Sequence, residues 1–162
     1  MSILVDQSTR VLVQGITGRE ASTFTKDMID YGTHVVAGVT PGKLGQTVHG
    51  VAVYDTVRQA LKEHPAEASV ISVPPALVKD AVIEALENGI KLVVVISERV
   101  PRKDTIEFLE VASENKARVI GPNTLGLISP EKIKLGMAGG PVGDVKKAYM
   151  PGFVGIASRS GG

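Results

Sequence analysis

The sequence predicts an α/β fold: a doubly wound parallel sheet with helices on both faces. Three observations point there. Short aliphatic runs alternate with amphipathic stretches of 10–15 residues, the signature of βαβ units and a parallel sheet. The apolar set is mostly Val, Ile, Leu and Ala, with three Phe, three Tyr and no Trp, which suits strands buried on both faces. The joints are short and carry Gly, Pro or Asn.

Val11–Gln14 is the first strand, ending at Gly15. Ala21, Phe24, Met28 and Tyr31 then recur at helical spacing, and Gly32 supplies a C-terminal stop. His34–Val39 is the second strand, followed by a loop from Thr40 to Gly50 rich in Gly, Pro and Thr. Val51–Tyr54 is a short strand, and Thr56 caps a helix to about Glu63. Ser69–Val73 is stopped by Pro74-Pro75. Val78, Ala81, Val82, Ala85 and Leu86 lie on one helical face that closes at Asn88-Gly89. Leu92–Ile96 is an unbroken aliphatic strand. Pro101–Asn115 is a helix with Thr105, Phe108, Leu109 and Ala112 on its inner face. Arg118–Ile120 is a fifth core strand, halted at Gly121-Pro122-Asn123.

Right-handed crossovers make residues 1–123 one doubly wound domain. Residues 124–150 hold five Gly and two Pro without helix-length periodicity, so they read as a connector with at most a hairpin. Gly152–Ser158 resumes an apolar strand, and Ser158-Arg159-Ser160-Gly161-Gly162 resembles a strand entering an anion-binding turn. Residues 124–162 are therefore expected to be a connector and the first strand of a truncated second domain.

Composition narrows the function. Eighteen Lys+Arg against seventeen Asp+Glu give a net charge of +1, so binding nucleic acid by bulk charge is not expected. No apolar run reaches the length of a membrane span, and the N-terminus lacks a signal-peptide pattern. The absence of cysteine excludes a disulfide scaffold, a thiolate zinc site and a cysteine nucleophile. It fits a reducing compartment, and a cytoplasmic location is expected. No His/Asp/Glu spacing suggests a metal. Asp6, Asp27 and Asp30 read as solvated caps and helix faces, Glu84 and Glu87 as an unpaired polar face, and Lys146-Lys147 as a solvated loop pair.

The chemistry sits at the first turn. Gly15-Ile16-Thr17-Gly18-Arg19-Glu20-Ala21 joins a strand to a helix, presenting backbone N–H groups and the positive end of the helix dipole. Glycines allow a phosphate close to the backbone, Thr17 adds a hydroxyl, and Ala21 lets helix and strand pack. The spacing is G-x-x-G-x-x-A, not G-x-G-x-x-G, and a glycine turn of this kind also serves packing alone. A nicotinamide site wants an acid at the end of the second strand. That strand instead runs Ala37-Gly38-Val39-Thr40-Pro41-Gly42-Lys43, with no carboxylate. An ammonium there would attract a phosphate carried on the ribose. The inferred ligand is coenzyme A, with NADP as the alternative; Lys43 as a solvated loop lysine is the plainer reading.

Several strings resemble one family: Ser2-Ile3-Leu4-Val5-Asp6, Val13-Gln14-Gly15-Ile16-Thr17-Gly18, Gly38-Val39-Thr40-Pro41-Gly42-Lys43, Val53-Tyr54-Asp55-Thr56-Val57, Gly89-Ile90-Lys91-Leu92, Val119-Ile120-Gly121-Pro122-Asn123 and Ser158-Arg159-Ser160-Gly161. The chain resembles the N-terminal CoA-binding domain of the succinate–CoA ligase α subunit, within the wider nucleoside-diphosphate-forming acyl-CoA ligases. The resemblance implies a Rossmann-like domain with CoA at the C-terminal edge of its sheet. By position it implies Thr17, Gly18, Arg19 and Glu20 around the CoA phosphates and Lys43 on a phosphate. Ile96, Ser97 and Glu98 would line the CoA groove, with Val73, Pro74 and Asn123 at neighbouring strand ends.

In the family, succinate, CoA and a nucleoside triphosphate give succinyl-CoA, the nucleoside diphosphate and phosphate, through a phosphohistidine on a second domain. ATP or GTP and magnesium then belong to a β-subunit partner. The resemblance places that histidine beyond residue 162. His34, His49 and His64 lack its setting, so no catalytic residue is expected in this chain, which alone would be inactive. Leu44, Ser97, Arg99 and Thr124-Leu125 depart from the family's usual residues, and 136–151 is longer than usual, which leaves the acid substrate open. An NADP-binding oxidoreductase domain and a stand-alone CoA-responsive regulatory module are the alternatives.

Overall fold

The structure, a computed structural model, describes residues 3–154. Nine strands form: β1 (Arg10–Gln14), β2 (His34–Val39), β3 (Thr47–Val48), β4 (Val51–Tyr54), β5 (Ala68–Ile71), β6 (Leu92–Val95), β7 (Arg118–Ile120), β8 (Gly126–Ser129) and β9 (Ile133–Gly136). Five α-helices accompany them: α1 (Arg19–Tyr31), α2 (Val57–Glu63), α3 (Val78–Glu87), α4 (Arg102–Glu114) and α5 (Val142–Ala148). No helix among the described residues is long and apolar enough to cross a membrane.

The main sheet has seven strands in the order β3-β4-β2-β1-β5-β6-β7. All pairs are parallel except β3, which runs back along β4. The chain winds outward from β1 through β2 to β4, then returns through α2 and winds the other way from β5 to β7. The winding direction therefore reverses between β1 and β5. In an open α/β sheet the carboxyl ends of the strands at such a reversal part and leave a crevice.

Alternating side chains feed two faces. From β1, Val11 and Val13 join a core with Ala21, Phe24 and Met28 of α1, while Leu12 points to Val57 and Ala60 of α2. From β6, Leu92 and Val94 join the α1 side, and Val93 and Val95 pack with α3 and α4. One face thus carries α1 and the other α2, α3 and α4, as a doubly wound sheet requires. The caps follow the sequence: Gly32 is left-handed at φ 110° after α1, and the Thr56 side chain accepts the Gln59 N–H at 3.2 Å before α2.

Some elements differ from expectation. Thr47–Val48 is a strand inside the predicted 40–50 loop, and Val142–Ala148 is a helix where no periodicity was evident. Leu109 is 44% exposed, because α4 meets the sheet along the narrow stripe of Phe108 and Ala112. Glu84 is paired after all: its Oε1 accepts the Val57 N–H at 2.8 Å, capping α2 from α3. Lys146 lies on α5 rather than in a loop, with its ammonium 5.9 Å from the Tyr31 ring centre. Of the predicted strand Gly152–Ser158, Gly152–Val154 are exposed and unpaired in any strand; the remainder and the closing turn lie outside the described residues.

The β8–β9 hairpin covers the part of the α1 face that α1 leaves open. Ile133 and Leu135 enter the same cluster as Val94 and Ile96. Between them Lys134 is also fully buried; its ammonium donates to Gly140 O at 2.6 Å. Burial pushes its pKa down, and the charge of Asp27 opposes that shift. A depressed lysine pKa means that the charged form is disfavoured by folding, a penalty in force below the folded pKa and relieved as pH rises through it. Lys134→Met should raise the melting temperature at neutral pH by about 2–4 °C. The gain should shrink in alkaline thermal scans; a lowered melting temperature would contradict this account.

Candidate functional site

The crevice opens where the winding reverses. Gln14 ends β1 and Gly15 follows it, and Ser72, Val73 and Pro74 follow β5; together with Thr17 and Gly18 they line a cavity of about 610 Å³. Thr40 and Pro41 close it from the β2 side, and Leu77, Asp80, Ala81 and Glu84 wall it from α3. Gly15 makes the joint possible. Its φ is +80°, its N–H donates to Val39 O at 2.7 Å, and a Cβ there would stand 2.1 Å from Ser72 O. Only glycine lets β1 turn this tightly between β2 and β5.

The turn continues directly into α1. The Gly18 N–H donates to Gly15 O at 2.9 Å, and the first intrahelical bond runs from Ser22 N–H to Gly18 O at 2.8 Å. Gly18 is the N-cap and has no side chain to spend on the amides of the first turn. Gly18 also lines the crevice, so the helix's positive end and its first-turn amides lie at the crevice wall, which suits phosphate. The Thr17 hydroxyl donates to Thr40 Oγ1 at 3.3 Å, and Thr40 donates to Val39 O at 2.8 Å. This chain of hydroxyls ties the first turn to the end of β2.

A second cavity of about 470 Å³ shares Ser72 and Val73 with the first. Glu20, Ile96, Ser97, Glu98, Arg99 and Asn123 line it. Its walls are cross-braced. Ser97 Oγ donates to Val73 O at 2.6 Å and accepts the Val73 N–H at 3.2 Å, and the Asn123 N–H donates to Ser97 O at 3.0 Å. The ends of β5, β6 and β7 are therefore held as one rim, with Asn123 in the left-handed region at φ 59°. The two cavities form one groove running from the β2 side, past the start of α1, to the β7 side.

Ten of the eleven residues singled out from sequence lie on this groove or beside it. Thr17, Gly18, Val73 and Pro74 line the first part; Glu20, Val73, Ile96, Ser97, Glu98 and Asn123 line the second. Arg19 lies around the first turn of α1, on a smaller neighbouring depression with Glu20 and Met137. Lys43 is different: it is exposed on the 40–50 loop and lines none of these cavities, although Thr40 and Pro41 of the same loop do. Sequence reasoning missed Gln14, Asp80, Ala81 and Glu84. Gln14 is buried, and its amide donates to Ser69 Oγ at 3.1 Å and to Ala81 O at 3.0 Å, locking α3 against β1 and β5. The available signal was a polar residue ending an otherwise aliphatic strand. No group of His, Asp or Glu able to hold a metal ion occurs among the described residues.

A family model described as the CoA binding domain matches residues 6–99, more than half of the chain. An ADP-forming sulfoacetate–CoA ligase subunit from an Acholeplasma species is 48% identical over 99% of this chain and 53% of its own length. A succinate–CoA ligase [ADP-forming] α subunit from Archaeoglobus fulgidus is 49% identical over 99% of this chain and 54% of its own. The chain thus spans about half the length of these curated relatives. Among solved structures, ATP citrate lyase from Methanothrix soehngenii, in complex with citrate and coenzyme A, superposes with a TM-score of 0.78. It covers 88% of this chain and 25% of its own at 22% identity, a likeness that speaks to the fold alone. Fold, crevice and family match together place this chain in the CoA-binding-domain family.

Proposed function

We propose that this chain is the CoA-binding part of the α subunit of an ADP-forming acid–CoA ligase, with CoA in the groove across the ends of β1, β5 and β6. One observation carries the reading: the groove begins at an uncapped helix N-terminus yet has no free carboxylate at the end of β2. The first-turn amides of α1 would hold the diphosphate. The 40–50 loop, with Lys43, would meet the phosphate on the ribose. The thiol arm would then follow the groove to Ile96, Ser97, Glu98 and Asn123. The relatives' names support a ligase parent. In that parent a nucleotide-binding β subunit would supply ATP or GTP with magnesium, and the second domain that begins within residues 124–162 would supply the phosphorylated histidine beyond residue 162. Both belong to this proposal; the boundary at residue 123 gives way to one that keeps the β8–β9 hairpin with the CoA-binding part, since Ile133 and Leu135 share its core.

This chain's own histidines do not serve the reaction. His34 opens β2 at the opposite end of the sheet, His49 Nε2 lies 3.0 Å from Ser22 O, and His64 sits edge-on to Tyr54. The isolated chain is therefore expected to bind CoA without forming an acyl thioester. Titration calorimetry with CoA and NADPH tests the reading. CoA should bind and NADPH should bind far more weakly; a preference for NADPH would overturn it in favour of an oxidoreductase domain.

A further inference from the structure

One carboxylate pins the tip of the turn that carries Lys43. Asp55 follows β4 and is half-buried. Its Oδ1 accepts the N–H of Lys43 at 3.0 Å and that of Leu44 at 3.1 Å. The Lys43 N–H also reaches Thr40 O at 3.1 Å. Asp55 is itself fixed, its N–H donating to Gln59 Oε1 at 3.2 Å. Gly42 and Gly45 flank the pinned residues in left-handed backbone, at φ 75° and 84°. A Cβ on either would meet nothing within 4 Å. The two glycines serve chain reversal rather than close packing, so hydrogen bonds hold the turn: the Asp55 carboxylate at Lys43 and Leu44, and backbone bonds from Gly45 N–H to Val53 O at 3.1 Å and from Val53 N–H to Gln46 O at 2.9 Å.

The carboxylate is spent on backbone amides, and no ion pair of Lys43 is found among the described residues. The turn is thus anchored at its backbone while its ammonium stays available. A charge held on a fixed backbone loses less freedom on meeting a ligand than one on a loose loop.

We propose that Asp55 is a positioning residue for recognition of the ribose phosphate: its carboxylate sets the 42–45 turn so that Lys43 meets the 3′-phosphate of CoA. This rests on the CoA reading above. A residue that acts through Lys43 should affect the 3′-phosphate and little else, whereas general support of the fold should affect every ligand alike.

Calorimetric titration of the chain with CoA and with 3′-dephospho-CoA separates the two. The native chain should bind CoA about tenfold more tightly. Asp55→Ala should bring that ratio close to one while changing affinity for 3′-dephospho-CoA less than about twofold. Asp55→Asn, whose amide oxygen can still accept both N–H groups, should keep most of the ratio. If Asp55→Ala does not fold, Asp55→Gln, which keeps an acceptor but displaces it, should lose the ratio. An unchanged ratio in Asp55→Ala or Asp55→Gln overturns the proposal, as does an equal loss in Asp55→Asn. If the native chain binds both ligands equally, the proposal fails and the groove reading stands; if it binds neither, both fail.

Discussion

Gly15→Ala should cost more than about 3 kcal/mol of stability and remove detectable CoA binding. Two penalties combine. An alanine at φ +80° pays roughly 1–2 kcal/mol for the left-handed conformation. Its Cβ would also overlap Ser72 O, at 2.1 Å, and crowd Val73 Cγ1 at 3.0 Å. Both atoms belong to the segment that follows β5, which Ser97, just past β6, braces at Val73, so neither can simply give way. The strand ends must part or the turn must unwind, and either change dismantles the groove at its narrowest joint. Thermal unfolding should show a drop of about 6–12 °C for a chain of this size. Gly89→Ala makes a fair control: its φ is +91° but nothing stands within 4 Å of the new Cβ, so only the left-handed penalty of about 1–2 kcal/mol should be lost. Equal melting temperatures for the two variants would contradict the packing argument.

Lys43→Ala should weaken CoA binding by about 1–3 kcal/mol, the scale of a lost charge-assisted hydrogen bond, and leave the melting temperature unchanged. The side chain is exposed and makes no internal ion pair among the described residues, so the folded state has little to lose. The loss should vanish for 3′-dephospho-CoA. It should also shrink as salt is raised, because an exposed charge pair is screened within roughly 8 Å at physiological ionic strength. Equal losses for both ligands would remove Lys43 from the phosphate.

How far the fold could be read from sequence depends on burial. Leu92–Val95 and Ala68–Ile71 are buried and, Ser69 apart, aliphatic, so they announced themselves as central strands. Thr47–Val48 is two residues long, half-exposed and set among glycines, too short for any period to show. β9 was hidden by Lys134, a charge in the middle of a buried strand, which breaks the apolar pattern although the side chain is fully covered. α5 spans seven residues and buries only Val145, less than one amphipathic cycle needs.

The site divides the same way. Thr17, Gly18, Val73 and Pro74 were legible because strand ends and a glycine turn mark the reversal of the sheet. The α3 wall was not legible. Asp80 and Glu84 sit on a polar helix face that reads as solvent-facing until Glu84 is seen to cap α2. Asp55 was equally silent, since a carboxylate that accepts two amides twelve and eleven positions back in the chain leaves no local pattern.

A crystal structure of this chain with CoA tests the central claim most directly. The diphosphate should lie within hydrogen-bond distance of the N–H groups at the start of α1, with the adenosine end toward Pro41 and Lys43 and the thiol near Ser97 and Asn123. Density for CoA elsewhere on the molecule, with the space between Gly15 and Val73 left to solvent, would contradict the account.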